Sequence, residues 1–253
     1  MLVTGGCGYL GREVVRLAGE AGWEVRATWW RTPPNAAADW VQADIRDREA
    51  MRRAADGVDA VVHTAYVQSE SDVIVDGTAA VAEAAKGKRF VHLSSDIVFD
   101  GTRGGYTEHD PPSPINEYGR AKAEAEVLAT TLHGAATLVR TSLIYGGAEP
   151  GPQERLAREA TRFFVDEFRS PVQVTDLATA IVELVRRAVT GPLHLAGADD
   201  ISRYDFAVLL GADPAQIEGV PTTPDRCPNV TLDSSHGTEL LGVRLRGVYD
   251  VLS

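Results

Sequence analysis

A phenol and an ammonium stand four positions apart in Tyr118-Gly119-Arg120-Ala121-Lys122. On a helix that spacing places both side chains on one face, a turn apart. A nearby ammonium favours the phenolate and pulls a phenol below its ordinary pKa of about 10. Such a tyrosine can take or give a proton near neutral pH. The lysine is informative because this chain writes its cations as arginine: there are 22 Arg against Lys86, Lys88 and Lys122. A position needing only a solvated positive charge would by that habit carry Arg; the alternative is a solvated pair on a surface helix. A third group comes from Val91-His92-Leu93-Ser94-Ser95, an apolar run that leads into Asp96. The Ser95 hydroxyl can donate to a substrate carbonyl oxygen as hydride arrives, or it simply closes a turn with Asp96. Ser95, Tyr118 and Lys122 are the candidate catalytic set.

The second constellation is Gly5-Gly6-Cys7-Gly8-Tyr9-Leu10-Gly11, with glycines at 5, 8 and 11 between a strand-like start and a helix-like continuation. The first glycine permits the tight turn, the second lets a pyrophosphate approach the backbone, and the third allows close helix–strand packing. The helix N-terminus then offers unpaired N–H groups and the positive end of its dipole to phosphates. In this context the triplet reads as a dinucleotide site. An acidic residue at the end of the second strand would favour NAD; here Thr28-Trp29-Trp30-Arg31-Thr32 has no carboxylate and one guanidinium. Arg31 can pair with a 2′-phosphate, which favours NADP(H) over NAD(H), unless it is only solvated. Asp44-Ile45 has the layout for an Asp meeting the adenine amino group, or for a cap on a helix beginning near Arg46-Asp47.

These residues need a scaffold, and the chain supplies one by alternation. Strand-like runs at Leu2-Val3-Thr4, Glu24 to Thr28, Val58 to His63, Arg89 to Leu93 and Ala136 to Val139 alternate with helix-like stretches. Those stretches are Arg12 to Ala21, Thr78 to Ala85 and Glu117 to His133. This predicts βαβ units in an α/β, Rossmann-type, doubly wound parallel sheet covered on both faces. After Gly146 the rhythm changes, with helices expected over Gln153 to Arg162 and Leu177 to Ala188 and strands near Val172 to Val174 and Leu193 to Leu195. The expected division is a cofactor-binding Rossmann domain over 1–146 with the catalytic residues, and a smaller interleaved substrate-binding region over 147–253. Residues 172–195 are expected to return to the Rossmann core. His63, His92 and His194 lie in apolar strand contexts and read as packed histidines.

Composition excludes several classes. The formal net charge of −11 argues against a nucleic-acid or anionic-membrane binder, since phosphate backbones need a basic face. No apolar run approaches the roughly 20 residues of a bilayer span, and no leader pattern precedes Leu2. Cys7 and Cys227 are too few for a disulfide framework, and no set of residues has metal-site spacing. A soluble, cytoplasmic protein without a metal is the expectation.

Taken together, the motifs resemble the extended short-chain dehydrogenase/reductase superfamily, and within it the dTDP-4-dehydrorhamnose reductase-like family of sugar-nucleotide reductases. They are the glycine turn, Ser94-Ser95-Asp96-Ile97-Val98-Phe99-Asp100-Gly101, Tyr106-Thr107-Glu108, Pro114 to Lys122 and Arg140-Thr141-Ser142. Asp166 to Pro171, Asp176-Leu177-Ala178, Leu193 to Gly197, Arg226-Cys227-Pro228-Asn229 and Leu232-Asp233 follow in order. The resemblance implies NADPH over the glycine turn, held by Gly5, Gly8, Tyr9, Leu10, Gly11, Arg31, Asp44, Ile45, Ala65, Tyr118 and Lys122. It implies hydride delivery to a keto carbon while Ser95 polarises the oxygen, Tyr118 supplies the proton and Lys122 holds the nicotinamide ribose. Asp96, Val98, Arg140 and Arg169 would meet the substrate, a nucleotide-linked 4-keto-6-deoxyhexose. A homodimer is also implied.

Four departures from the family pattern concern the substrate side. Ile97 stands where a tyrosine is usual, Arg169 replaces a glycine, and Ile74 occupies an asparagine position. The stretch from Gly146 to Asp166 is shorter than in the family. Two alternatives therefore accompany the reductase. One is a sugar-nucleotide epimerase or dehydratase, although a dehydratase usually carries a second acidic residue beside the catalytic hydroxyl and Asp96-Ile97 lacks it. The other is an NADP-binding regulatory relative, since a regulatory subunit of methionine adenosyltransferase uses this fold.

Overall fold

The computed structural model describes residues 1–34 and 38–252. Strands β1 (Leu2–Thr4), β2 (Arg26–Trp29), β3 (Asp39–Gln42), β4 (Ala60–His63), β5 (Arg89–Leu93) and β6 (Thr137–Arg140) form a sheet with the late strand β11 (Gly191–His194). The spatial order is β11-β6-β5-β4-β1-β2-β3, and the paired registers among β1 to β6 are all parallel. Strand order reverses between β1 and β4, which defines the doubly wound fold and its switch point. The expected α/β architecture is therefore present. β1 and β4 are wholly buried, as a sheet covered on both faces requires.

Helices α1 (Tyr9–Glu20), α2 (Arg48–Ala54), α3 (Ser71–Ala84) and α4 (Glu117–His133) connect the strands. α1 begins three residues before the apolar periodicity suggests, because Gly8 caps it in extended conformation and Gly11 already lies inside it. It buries Leu10, Val14, Val15 and Ala18, a single stripe at helical spacing. Asp47 caps α2, its carboxylate accepting from the N–H groups of Glu49 and Ala50, a favoured N-cap arrangement. α3 is longer than expected and packs closely: a Cβ at Gly77 would lie 2.5 Å from Ile45 Cδ1. Leu2, Ile45, Met51, Val61, Val81, Phe90 and Leu138 belong to one buried cluster on this side of the sheet.

The chain divides into two compact units. Unit 1 comprises Met1–Ser94, Arg120–Val139 and Ala178–Pro192; unit 2 comprises Ser95–Gly119, Arg140–Leu177 and Leu193–Ser253. The chain first leaves unit 1 after Ser94, past the end of β5, and returns to it over Arg120–Val139 and again over Ala178–Pro192.

Unit 2 contains short strands joined in pairs: β7 (Ile144–Tyr145) with β10 (Val172–Gln173), β8 (Arg162–Phe164) with β13 (Glu218–Val220), and β9 (Phe168–Arg169) with β12 (Ile201–Ser202). Its helices are α5 (Pro152–Glu159), α7 (Arg203–Leu209), α8 (Ser235–Leu241) and α9 (Val248–Leu252), while α6 (Val174–Val185) runs from unit 2 into unit 1. α6 starts earlier than the sequence pattern indicates because the Gln173 side-chain oxygen accepts from the N–H groups of Thr175 and Asp176. α5 ends before Arg162, which pairs with Glu218 in β13 instead of continuing the helix. Two apolar clusters hold the unit: Tyr145, Ile201, Phe206 and Val248, and Ala157, Phe163, Ala207 and Ala212.

Candidate active site

In unit 1 the glycine turn is fixed by steric necessity. Gly5 has φ of 71°, and a Cβ there would sit 2.8 Å from Ala65 Cα. A Cβ at Gly11 would lie 2.1 Å from the Gly5 carbonyl oxygen and 2.9 Å from Thr64 Oγ1. Gly6, outside the triplet, is equally constrained, since its Cβ would meet Ala27 Cβ at 2.8 Å and Trp40 Cζ3 at 2.9 Å. At Gly8 a Cβ would meet only the Gly5 carbonyl oxygen, at 3.1 Å. The turn is pinned by bonds from Gly8 N–H to Gly5 O (2.8 Å), Gly6 N–H to Thr28 O (2.9 Å) and Gly5 N–H to Thr28 Oγ1 (3.1 Å). A backbone with its one open glycine at the helix start has the form needed for a pyrophosphate. The residues present therefore fit a dinucleotide.

The flanking cofactor candidates differ among themselves. Arg31, just past β2, is 68% exposed, and its nearest carboxylate, Glu70 Oε1, is 3.6 Å away. Its guanidinium is thus loosely held and can turn to a phosphate. Asp44 is committed locally: its carboxylate accepts from Arg46 N–H at 3.0 Å and from Arg46 Nη2 at 2.6 Å. The bond to Arg46 holds its carboxyl below the ordinary carboxylate range despite the opposing effect of burial. The helix cap considered for Asp44 is made instead by Asp47. Ile45 and Leu10 are buried. Tyr9 stands at the first turn of α1 with the Arg12 guanidinium carbon 5.4 Å from its ring centre.

Lys122 is 3% exposed, an unusual place for an ammonium. Its Nζ donates to Leu93 O at 3.0 Å and lies 4.3 Å from the centre of the Tyr66 ring. Burial lowers its pKa to about 8, with buried Glu126 one turn further along α4 working the other way. The arginine bias of the chain thus pointed to a residue with a special environment. Tyr66 was not foreseen; the only signal for it was its place beside Ala65, just beyond β4. His63 and His92 are packed, as expected, with ring centres 5.3 Å apart. Burial lowers the His63 pKa to about 3 and holds His92 well below the ordinary histidine value.

In unit 2, Ser95 Oγ donates to Asp96 Oδ1 at 3.0 Å and accepts from Ile97 N–H at 3.4 Å, capping a 3₁₀ turn over Asp96–Val98. The turn-closing role considered for this serine is therefore present in the structure. Asp96 is buried and also accepts from Ser142 Oγ at 2.7 Å. Burial pushes its carboxyl pKa up, opposed by Arg169 and by the two serine bonds. Val98 is completely buried. Tyr118, half-buried, lies in the first turn of α4, one turn before Lys122. Its neighbour Gly119 is required there: a Cβ would sit 2.4 Å from Ile97 O, while Gly119 N–H donates to Asn116 Oδ1 at 2.8 Å.

The remaining substrate candidates are buried cations. The Arg140 guanidinium carbon lies 5.1 Å from the Phe99 ring centre. Arg169 Nη1 donates to Phe168 O at 2.7 Å and Nη2 to Cys227 O at 3.0 Å, with Glu167 Oε2 3.6 Å away. Glu167 is completely buried and also receives Arg226 and Thr222 Oγ1. Burial would raise its pKa, but the bonds from Arg226 and Thr222 and the charge of Arg169 prevail and lower it. Arg203 joins the same group, its pKa lowered to about 10 by burial and by the like charge of Arg169. Three arginines thus gather around one glutamate. The sequence pointed only to Arg169, because its partners lie up to 58 residues away.

Comparison with known proteins extends these observations. Residues 1–246 match the family model described as the RmlD substrate binding domain. A dTDP-4-keto-6-deoxy-D-glucose reductase of Streptomyces niveus is 34% identical over 246 residues, spanning 87% of this chain and 82% of that protein. The methionine adenosyltransferase 2 subunit beta of Rattus norvegicus is 28% identical over 243 residues, spanning 83% and 70%. Among solved structures, a dTDP-4-dehydrorhamnose reductase from Bacillus anthracis str. Ames in complex with NADP has the same fold. It aligns with a TM-score of 0.80 at 23% identity, over 99% of this chain and 96% of that one.

Proposed function

The chain belongs to the RmlD substrate binding domain family, and on that premise we propose that it is an NADP(H)-dependent reductase of a keto group on a nucleotide-linked sugar. The observation that carries this reading is Lys122, an almost wholly buried ammonium one turn after Tyr118 on α4. A fold keeps so costly a charge where chemistry needs it. NADPH, when bound, supplies the hydride. The glycine turn and the first turn of α1 hold its pyrophosphate, and Arg31 takes the 2′-phosphate. Lys122 keeps the Tyr118 phenol acidic, and Tyr118 Oη gives its proton to the carbonyl oxygen. Ser95 Oγ turns its hydrogen from Asp96 to the same oxygen and so polarises the carbonyl. Arg169, with Arg203 and Arg226, meets the phosphates of the substrate, where three guanidinium groups face the carboxylates of Glu167 and Asp96.

The substrate class is a nucleotide-linked 4-keto-6-deoxyhexose, the place of action the cytoplasm and the assembly a homodimer. Among the described residues no helix is long and apolar enough to cross a membrane. Residues 1–146 form the cofactor half in this reading and 147–253 the substrate half. The second reading is a cofactor-binding regulatory subunit, favoured by the likeness to the methionine adenosyltransferase subunit. Following NADPH absorbance with a dTDP-4-keto-6-deoxyhexose separates the two. Tyr118→Phe is expected to lower kcat by about 100- to 10,000-fold with little change in NADPH affinity. Tight NADPH binding without turnover, unaffected by that substitution, would move the assignment to the regulatory reading.

A further inference from the structure

Lys122 has a companion that the proposed reaction does not use. The Tyr66 ring lies with its centre 4.3 Å from Nζ. Tyr66 is 48% exposed and Lys122 is 3% exposed, so a half-exposed ring covers an almost wholly buried cation. An aromatic face attracts a cation through its quadrupole, and the attraction grows as water is removed. We propose that Tyr66 is the positioning residue of the Lys122 ammonium, its ring face standing in for water over Nζ so that the buried lysine stays charged. This rests on the reading of Lys122 as a functional group.

Among the described residues, the other groups that act on this ammonium are few. Leu93 O, at the end of β5, takes one of its three hydrogens. Glu126, one turn on along α4, favours its charge, and Tyr118 stands one turn before it. His63 on β4 and His92 on β5 interact with Lys122 but are neutral at ordinary pH, because burial holds both far below the usual histidine value. Burial brings Lys122 to about 8 against the charge of Glu126, and the groups in contact with Nζ are the Leu93 carbonyl and the Tyr66 ring. An aliphatic side chain in place of Tyr66 would keep the cover and lose the attraction.

Lysine titration by NMR in the cofactor-free chain tests this directly, because Lys86 and Lys88 are the only other lysines and serve as stationary references. Tyr66→Leu is expected to lower the Lys122 midpoint by about 0.5 to 1 pH unit, while Tyr66→Phe, which keeps the ring face, leaves it in place. An unchanged midpoint in the leucine variant, or an equal shift in the phenylalanine variant, overturns the proposal. A shifted midpoint in a chain that turns over no sugar nucleotide upholds the role of Tyr66 while removing the reductase reading. The two can therefore fail separately.

Discussion

In the glycine turn of unit 1 the backbone is rigid and the nearby Arg31 is loosely held, whereas around Glu167 in unit 2 the charged side chains are bound to one another. A Cβ at Gly11 has nowhere to go, yet Arg31, 68% exposed, is held by a carboxylate no nearer than 3.6 Å among the described residues. Arg169 is the reverse, with two backbone carbonyls at 2.7 and 3.0 Å and a buried glutamate beside it. The contrast says that a dinucleotide meets a ready surface. An anion arriving in unit 2 must compete with bonds already made. Affinity in the first region should hinge on steric fit, and in the second on internal charge balance.

The steepest break of that comparison is Gly11→Ala. The added methyl meets a backbone oxygen at 2.1 Å, so the turn or the helix must move. NADPH affinity is expected to fall about 100-fold or more, measured by fluorescence titration or calorimetry. Retained affinity would show that the turn yields and that its rigidity is not what binds.

The next is Glu167→Gln in unit 2. It removes the one buried negative charge that bonds Arg226 and faces Arg169, and is expected to cost about 2–3 kcal/mol of stability. The glutamate's folded pKa lies below its unfolded value. Its contribution is therefore fully present above the unfolded pKa and is lost as pH falls through the lower, folded value. Urea midpoints of the two proteins should accordingly differ at pH 7 and converge in strong acid. Equal midpoints at pH 7 would mean that the arginines do not need the glutamate.

Arg31→Ala gives a smaller effect, because the side chain is exposed and its pairing is loose. NADPH affinity should weaken by about tenfold, as for one charge-assisted contact, with NADH affinity little changed. A matched loss for both cofactors would take Arg31 away from the 2′-phosphate.

What could be read from the sequence follows the same divide. The turn, the sheet and the Tyr118–Lys122 pair depend on residues close in sequence, where glycine spacing, apolar alternation and helical periodicity report directly on geometry. Helix ends were displaced where one side chain decides them, as Gln173 does for α6 and Gly8 for α1. The paired short strands of unit 2 were only partly visible, because two or three residues carry no period. Val98, a substrate contact by the family resemblance, is wholly buried. The partners of buried charges were not legible at all. Arg169 finds Cys227 O across 58 residues, and Tyr66 finds Lys122 across a comparable interval, distances that only the folded chain closes.

The two regions also differ in what their buried cations cost, and the smallest effect tests that. Arg169 has a buried carboxylate 3.6 Å away and two carbonyls, whereas Lys122 touches a carbonyl and a ring and has buried Glu126 only one turn along α4. The folded pKa of Lys122, about 8, lies below the ordinary lysine value of 10.5. Above pH 8 the unfolded chain holds a proton that the folded chain has released, so stability rises with pH between 8 and 10.5. Below pH 8 the buried charge carries its full penalty, about 3 kcal/mol from the size of the shift. Lys122→Met removes that penalty, but leaves Leu93 O without its donor, which costs about 1–2 kcal/mol. The variant should therefore be more stable at pH 7 by about 1 kcal/mol, a rise in Tm of about 2–4 °C for a chain of this size, while turnover is lost. The gain should shrink as pH approaches 10, where the lysine of the unsubstituted chain is neutral when folded. Calorimetry at pH 7 and pH 10 checks both signs. A variant less stable at pH 7 would place Lys122 among the residues that hold the fold.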